Sequence, residues 1–214
     1  MNSTFSIIVS ALGVNLNKIN SWLSSEIINR INEFIIVVQN SEGYEKEIKY
    51  LKDLGCKVII DTGIGLSRSR NIGIKNAKGD LIAFLDADDI WHKEKLKKQI
   101  KFMKLNNYDI THTSYTVINE NRDPIKKRIA RNFIHINDLL KSCDIGTSTV
   151  IIKKYLINEN IKFAHLVTKE DFVLWLKLLK NNYKIYALDE VLTFWTKSNS
   201  SLSSSTFQKI KDGF

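Results

Sequence analysis

The stretch Leu81-Ile82-Ala83-Phe84-Leu85-Asp86-Ala87-Asp88-Asp89-Ile90-Trp91 changes character after Leu85. Five apolar residues, suited to a strand buried on both faces, run directly into three carboxylates within four positions. In open α/β sheets, ligands collect outside the carboxyl ends of strands. Carboxylates crowded there repel one another and attract a cation. Hard oxygen donors suit Mg²⁺ or Mn²⁺, which can in turn bridge to a diphosphate. The competing reading is a solvated turn that caps the lysine-rich helix expected next.

Working upstream, residues 5–9, 34–38 and 56–60 are short apolar runs, as are residues 81–85 themselves. Helical spacing fills the intervals: Ile19, Trp22, Leu23, Ile27 and Ile31 first, then residues 44–54 closed by Gly55, then 66–77 closed by Gly79. Strands alternating with helices predict an α/β fold with a mostly parallel central sheet flanked by helices. Downstream the pattern loosens. Residues 108–118 and 125–129 suit paired strands about a turn at 119–124. A short helix at 136–141 and a strand at 148–152 follow. Residues 170–180 form an amphipathic helix with Phe172, Val173, Leu176 and Leu179 on one side, before a strand at 183–188 and a loose serine-rich stretch at 198–206. The expectation is one domain over 1–214: a nucleotide-binding half at 1–91, a smaller mixed acceptor half at 92–200 and a loose tail at 201–214.

The net charge of +9 and pI near 9.4 point to an anionic partner. Lys93, Lys95, Lys97, Lys98, Lys101 and Lys104 load the helix after the aspartates, and Arg122, Lys126, Lys127, Arg128 and Arg131 follow. They form either a solvated face or a peripheral contact with an anionic membrane. Nucleic acid is not expected, since no aromatic stacking pattern accompanies the charges. Cys56 and Cys143 form no CxxC pair or Cys/His cluster, which argues against zinc and fits a reduced cytoplasm. No secretory leader or membrane-length apolar run is expected. Trp91, Trp175 and Trp195 stand in apolar contexts as core or pocket wall, and Trp22 on the first helix's apolar face.

Before the aspartates stands Gly63-Ile64-Gly65-Leu66-Ser67-Arg68-Ser69-Arg70-Asn71-Ile72-Gly73. A dinucleotide fingerprint would need a third glycine where Arg68 stands, so this is a turn feeding a helix with two arginines, residues that favour phosphates. Gly65-Leu66-Ser67 and Ser69-Arg70-Asn71-Ile72-Gly73, then Ala77-Lys78-Gly79-Asp80, then Phe84 to Asp89, resemble the family 2 glycosyltransferases in order and spacing. That family reads G-L-S-x-A-R-N-x-G, then A-x-G-x-x-I-x-F-L-D-x-D-D. The resemblance continues through Ile145-Gly146-Thr147-Ser148-Thr149 and Glu170-Asp171-Phe172-Val173-Leu174-Trp175-Leu176, and so covers nearly the whole chain.

The resemblance implies the GT-A fold and an inverting transfer of sugar from a nucleotide-diphosphate donor to a glycan or lipid-linked acceptor, with Mn²⁺ or Mg²⁺ as cofactor. It implies a setting in bacterial surface polysaccharide assembly and leaves a homo-oligomer open. Asp86 resembles the ribose aspartate, Asp88 the metal ligand of the DXD motif, Arg70 the arginine beside the base and Asp171 the catalytic base. Ser10, Gln39, Asn40, Ser67 and Ala87 fall on the donor side, and Glu170, Trp91 and Thr147 on the acceptor side. Thr168-Lys169-Glu170-Asp171 is equally a capping box, so base and helix cap both stay open for Asp171.

Three departures stand out. The first strand ends Ser10-Ala11-Leu12-Gly13 instead of in a Pro-Thr-Tyr-Asn type of turn. Gln39-Asn40-Ser41 replaces paired aspartates after the second strand, although amides still hydrogen-bond a pyrimidine edge. Thr196-Lys197 stands where some members carry histidine or arginine. Two rivals remain. A nucleotidyltransferase would want a glycine-rich basic loop after the first strand, which residues 11–17 lack; the other rival is a non-catalytic basic module for membrane or nucleic acid.

Overall fold

The computed structural model describes residues 4–22 and 33–197, the side chains of 20–22 excepted. The apolar face predicted through Trp22, Leu23, Ile27 and Ile31, and the tail at 198–214, lie outside the described residues. Among the described residues nine strands form one sheet in the order β3-β2-β1-β4-β8-β6-β9-β5, with β7 paired to β6. They are β1 (Phe5–Leu12), β2 (Glu33–Gln39), β3 (Lys57–Ile60), β4 (Leu81–Asp86), β5 (Ile90–Trp91), β6 (Ile110–Ile118), β7 (Pro124–Arg128), β8 (Ile151–Lys153) and β9 (Tyr186–Thr196). The helices are α1 (Leu16–Trp22), α2 (Glu45–Asp53), α3 (Leu66–Asn76), α4 (Lys95–Asn106), α5 (Ile136–Lys141) and α6 (Glu170–Lys180).

β1 to β4 pair in parallel, as the alternation predicts, and β8 turns the sheet antiparallel. The parallel strands are apolar at nearly every position because both faces are covered. Ile8, Ile35, Val37, Ile82 and Phe84 meet Phe163, Leu174, Trp175 and Leu178 on one face. Ile7, Val9, Ile36, Val38, Ala83 and Leu85 meet Leu16, Ile48, Leu51 and Met103 on the other. The parallel register carries the carboxyl ends of β1, β2, β3 and β4 to one edge, with Ser10 opposite Asp86.

Gly55 ends α2 with φ +92, the left-handed conformation that suits a C-cap. Gly79 does not close a helix, since α3 stops at Asn76. A Cβ there would come within 2.6 Å of the Phe5–Ser6 backbone, so glycine admits the close approach of β1.

The second half departs from expectation in three places. The predicted strand at 148–152 begins as a 3₁₀ turn, Thr147–Thr149, and the strand proper is Ile151–Lys153. The predicted strand at 183–188 is the start of the eleven-residue β9, which runs on to Thr196 beside β6 and β5. The lysine-rich α4 is not a uniformly solvated face. Lys95 is wholly buried; its Nζ donates to Gln99 Oε1 (2.6 Å) and the Thr149 carbonyl (3.1 Å) and lies 5.1 Å over the Trp91 ring. Burial holds its pKa well below the ordinary lysine value. Lys95, Gln99 and Met103 recur at helical spacing and form the inward stripe of α4.

Candidate active site

The aspartate turn leaves β4 at the shared edge and is tied down by two distant segments. Ser148 Oγ donates to Asp89 Oδ2 (2.5 Å) and accepts from the Asp86 N–H (3.0 Å). At the end of β9, Thr196 donates its N–H to Asp89 Oδ1 (3.0 Å) and its hydroxyl to the Asp88 carbonyl (2.5 Å). Trp91 Nε1 donates to the Ser148 carbonyl at 2.7 Å, so this predicted acceptor-side residue braces the turn. Asp89 is buried with both oxygens engaged, which makes it the anchor of the turn. Burial first, then the charges of Asp86 and Asp88, push its pKa well above the usual carboxylate range. The same causes, burial and Asp86, raise Asp88.

Arg70, on α3, is buried beneath this turn. Nη2 donates to Asp86 Oδ1 (2.7 Å) and Nη1 to Glu170 Oε1 (2.5 Å), while the guanidinium lies 5.2 Å over the Phe163 ring. Burial would lower its pKa, but the two carboxylates outweigh it and hold the proton more tightly than usual. Arg70 thus joins the β4 turn, sixteen residues along the chain, to the first turn of α6, a hundred residues along it. Arg70→Met should cost about 3–5 kcal/mol of stability, the penalty for stranding a buried charge. Arg70→Lys should lose less but still weaken the join, because an ammonium lacks the planar fork that serves two acceptors. Denaturant melts of the three proteins check this.

Asp171 follows Glu170 in α6 and is half-buried. Its Oδ2 accepts from the Thr147 hydroxyl (3.1 Å) and its Oδ1 from the Phe172 N–H (2.7 Å). The expected capping box is not what opens the helix. Lys169 is the N-cap, in left-handed conformation at φ 61 and with no side-chain cap hydrogen bond. Left-handed entry at Lys169 shifts the helix start one residue past the position where Thr168 would be the cap.

The remaining predicted residues divide. Ser10 is buried at the end of β1, opposite Asp86, and its hydroxyl has no hydrogen-bond partner among the described residues. Ser67 and Ala87 are buried, and Asn40 is exposed at φ 50. The Gln39 amide is already engaged: Nε2 donates to Asp61 Oδ2 (2.9 Å) and the Gly65 carbonyl (3.2 Å), and Oε1 accepts from the Gly65 N–H (3.2 Å). Asp61 Oδ1 accepts from the Gly63 N–H (3.0 Å) and Arg68 Nε (2.8 Å). These hydrogen bonds outweigh burial and lower the Asp61 pKa. Neither Arg68 nor Arg70 is therefore without a carboxylate partner. Sequence reasoning overlooked Asp61, a buried carboxylate at a strand's carboxyl end, which is the signal that singled out Asp86.

Among the described residues no three side chains could hold a metal by themselves. The donor set nevertheless fits a divalent ion shared with a ligand. Asp89 is spent on the fold and Asp86 on Arg70, which leaves Asp88 beside like charge. Mg²⁺ commonly takes one or two carboxylates and completes its shell with phosphate oxygens.

The profile of Glycosyl transferase family 2 matches residues 19–168. A UDP-Glc:alpha-D-GlcNAc-diphosphoundecaprenol beta-1,3-glucosyltransferase of Escherichia coli, WfgD, is 40% identical over 149 residues, covering 69% of this chain and 57% of its own. The putative teichuronic acid biosynthesis glycosyltransferase TuaG of Bacillus subtilis is 32% identical over 155 residues, covering 72% of this chain and 61% of its own. The chain thus spans about three-fifths of the length of these relatives. The solved structure of S. aureus TarS 1-349 with UDP-GlcNAc superposes with a TM-score of 0.74 at 20% identity, over 94% of this chain and 61% of that one. That likeness is one of fold, and the fold is GT-A. With a matched profile over residues 19–168 and relatives of 40% and 32% identity, the chain belongs to glycosyl transferase family 2.

Proposed function

We propose that this chain moves a sugar from a nucleoside diphosphate to a hydroxyl of a lipid-linked or glycan acceptor, with inversion, in the assembly of a bacterial surface polysaccharide. Residues 1–91 hold the donor in this reading and residues 92–200 present the acceptor. The observation that carries it is the Arg70 fork, which ties Glu170, the residue before Asp171 on α6, to Asp86 of the aspartate turn. The curated relatives add the polysaccharide setting, and WfgD, by its name, adds a UDP-sugar donor and a polyprenyl diphosphate acceptor.

Asp171 would take the proton from the attacking hydroxyl while the new C–O bond forms at the anomeric carbon, and the bond to the diphosphate breaks on the opposite face. Thr147, donating to Oδ2, orients that carboxylate. Asp86, held by Arg70, would meet the ribose, with the Ser10 hydroxyl opposite it on β1. Asp88 would hold Mn²⁺ or Mg²⁺ against the diphosphate, whose departing charge the ion offsets.

Thermal melts with a panel of nucleotide sugars and Mn²⁺, beside an assay for nucleoside diphosphate release, test this reading. A true donor at a hundred times its dissociation constant should add about 2.7 kcal/mol of stability. A panel that shifts nothing and releases nothing refutes the reading.

A further inference from the structure

We propose that the β6–β7 hairpin, and not the lysine-rich α4, seats the mouth of the site on an anionic lipid bilayer. The inference rests on the lipid-linked acceptor reading, since such an acceptor lies at a membrane surface.

Its place follows from the register. Ile118, at the end of β6, pairs with Thr196, the residue that bonds both Asp88 and Asp89. The turn after Ile118 therefore projects from the rung that holds the aspartate turn. It is a built turn: the Asn119 N–H donates to the Asp123 carbonyl (3.0 Å), and Asn119 Oδ1 accepts from the N–H groups of Asn121 (2.9 Å) and Asp123 (2.8 Å).

Its chemistry suits a bilayer interface. Residues 119–131 carry five basic side chains, Arg122, Lys126, Lys127, Arg128 and Arg131, against two acidic ones, Glu120 and Asp123. Arg128 is tied to Asp144 and Arg131 to the Ser142 carbonyl. Arg122, Lys126 and Lys127 are exposed. Among them stand Ile125 and Ile129, 53% and 50% exposed. Other loops at this end also carry bare apolar side chains: Val14 after β1 (62%), Ile64 after β3 (93%), and Leu166 (45%) and Val167 (62%) just before the Glu170–Asp171 pair. Apolar residues set among cations are the composition of a surface that enters the headgroup layer of acidic lipid.

The α4 helix lacks this placement. Lys95 is buried and Lys98 pairs with Glu190. The helix also runs away from the mouth. The strand after it starts at Ile110, which pairs with Ile152, and Ile152 pairs with Ile82 near the start of β4, the end of the sheet opposite Asp86.

The test is sedimentation of the whole chain with vesicles of phosphatidylglycerol and phosphatidylethanolamine, at low and high salt, against vesicles of phosphatidylcholine alone. The native chain should bind the acidic vesicles and lose them in salt. Lys126→Ala/Lys127→Ala should weaken binding about 30-fold, roughly fivefold for each charge removed. Ile125→Ser/Ile129→Ser should weaken it while leaving the salt dependence in place. Lys101→Ala/Lys104→Ala, on α4, should bind as the native chain does. All should release nucleoside diphosphate at the native rate, so vesicle binding and donor turnover report the surface and the site separately. A chain that binds vesicles but turns over no donor would refute the proposed function and leave the docking surface supported. Equal binding to phosphatidylcholine, an equal loss from the α4 variant, or light scattering showing that the hairpin instead joins two copies of the chain would overturn the proposal.

Discussion

Asp171→Asn should melt like the native protein, bind donor like the native protein and lose roughly 10²–10⁴ in turnover, the usual contribution of a positioned general base. The substitution keeps an oxygen that can accept from the Phe172 N–H and removes only the capacity to take a proton. A role as helix cap would predict different damage, a stability loss of about 0.5–2 kcal/mol when the cap is removed. In the structure Lys169 holds the N-cap position without a side-chain cap hydrogen bond, and Asp171 Oδ1 takes the Phe172 N–H of the first turn, a bond that the Asn oxygen can keep. Donor binding should survive because the groups assigned to it, Asp86, Asp88 and Ser10, lie on β4, the turn after it and β1, away from α6. The measurement is a melting curve with and without donor beside a transfer assay on one preparation. Transfer above about a tenth of the native rate would be too small a loss for a base, and Glu170 would then have to be considered. Glu170 is a poorer candidate, since it is buried and its Oε1 is engaged by Arg70.

Asp88→Asn should separate fold from chemistry in the opposite way. Burial and the neighbouring Asp86 raise the Asp88 pKa, so the charged carboxylate is disfavoured in the fold. Replacing it by a neutral amide should leave the melting temperature of the free protein unchanged or slightly higher. The loss should appear on ligand addition. The native chain gains stability from Mn²⁺ with nucleoside diphosphate, about 2.7 kcal/mol at a hundredfold excess over the dissociation constant, and the variant should lose most of that gain. Transfer should fall by about 10²–10³, the scale on which removing one preorganised electrostatic partner acts. Native turnover by Asp88→Asn in the presence of chelator would refute the metal role. Asp89→Asn is the informative companion: its oxygens hold Ser148 and Thr196, so damage there should appear in the melt of the free protein.

The parallel half of the sheet was legible because its strands are buried on both faces. Residues 34–38 and 81–85 can be nothing but apolar there, and local composition alone marks them. The aspartate turn was legible for the complementary reason, three carboxylates where that apolar run stops. The second half resisted because its stability is not written in apolar periodicity. β9 runs past 188 through Asp189 and Glu190, which face solvent or form ion pairs, and its length is set by pairing with β6 and β5. The inward stripe of α4 is Lys95, Gln99 and Met103, so counting lysines made a solvated face of a helix whose first lysine is core.

The sequence by itself determined the α/β alternation, the carboxylate cluster and, through its motif spacing, the family. Only the tertiary structure decided which partners each polar group has within the chain, because residues far apart in sequence supply them. Gln39, expected to meet a base, spends its amide on Asp61 and Gly65. Arg70, expected beside a base, spends its fork on Asp86 and Glu170, a partner a hundred residues along the chain. Spacing along a strand or helix fixes which residues share a face, but a hydrogen bond across the sheet is fixed by register and topology, which no local stretch of chain contains.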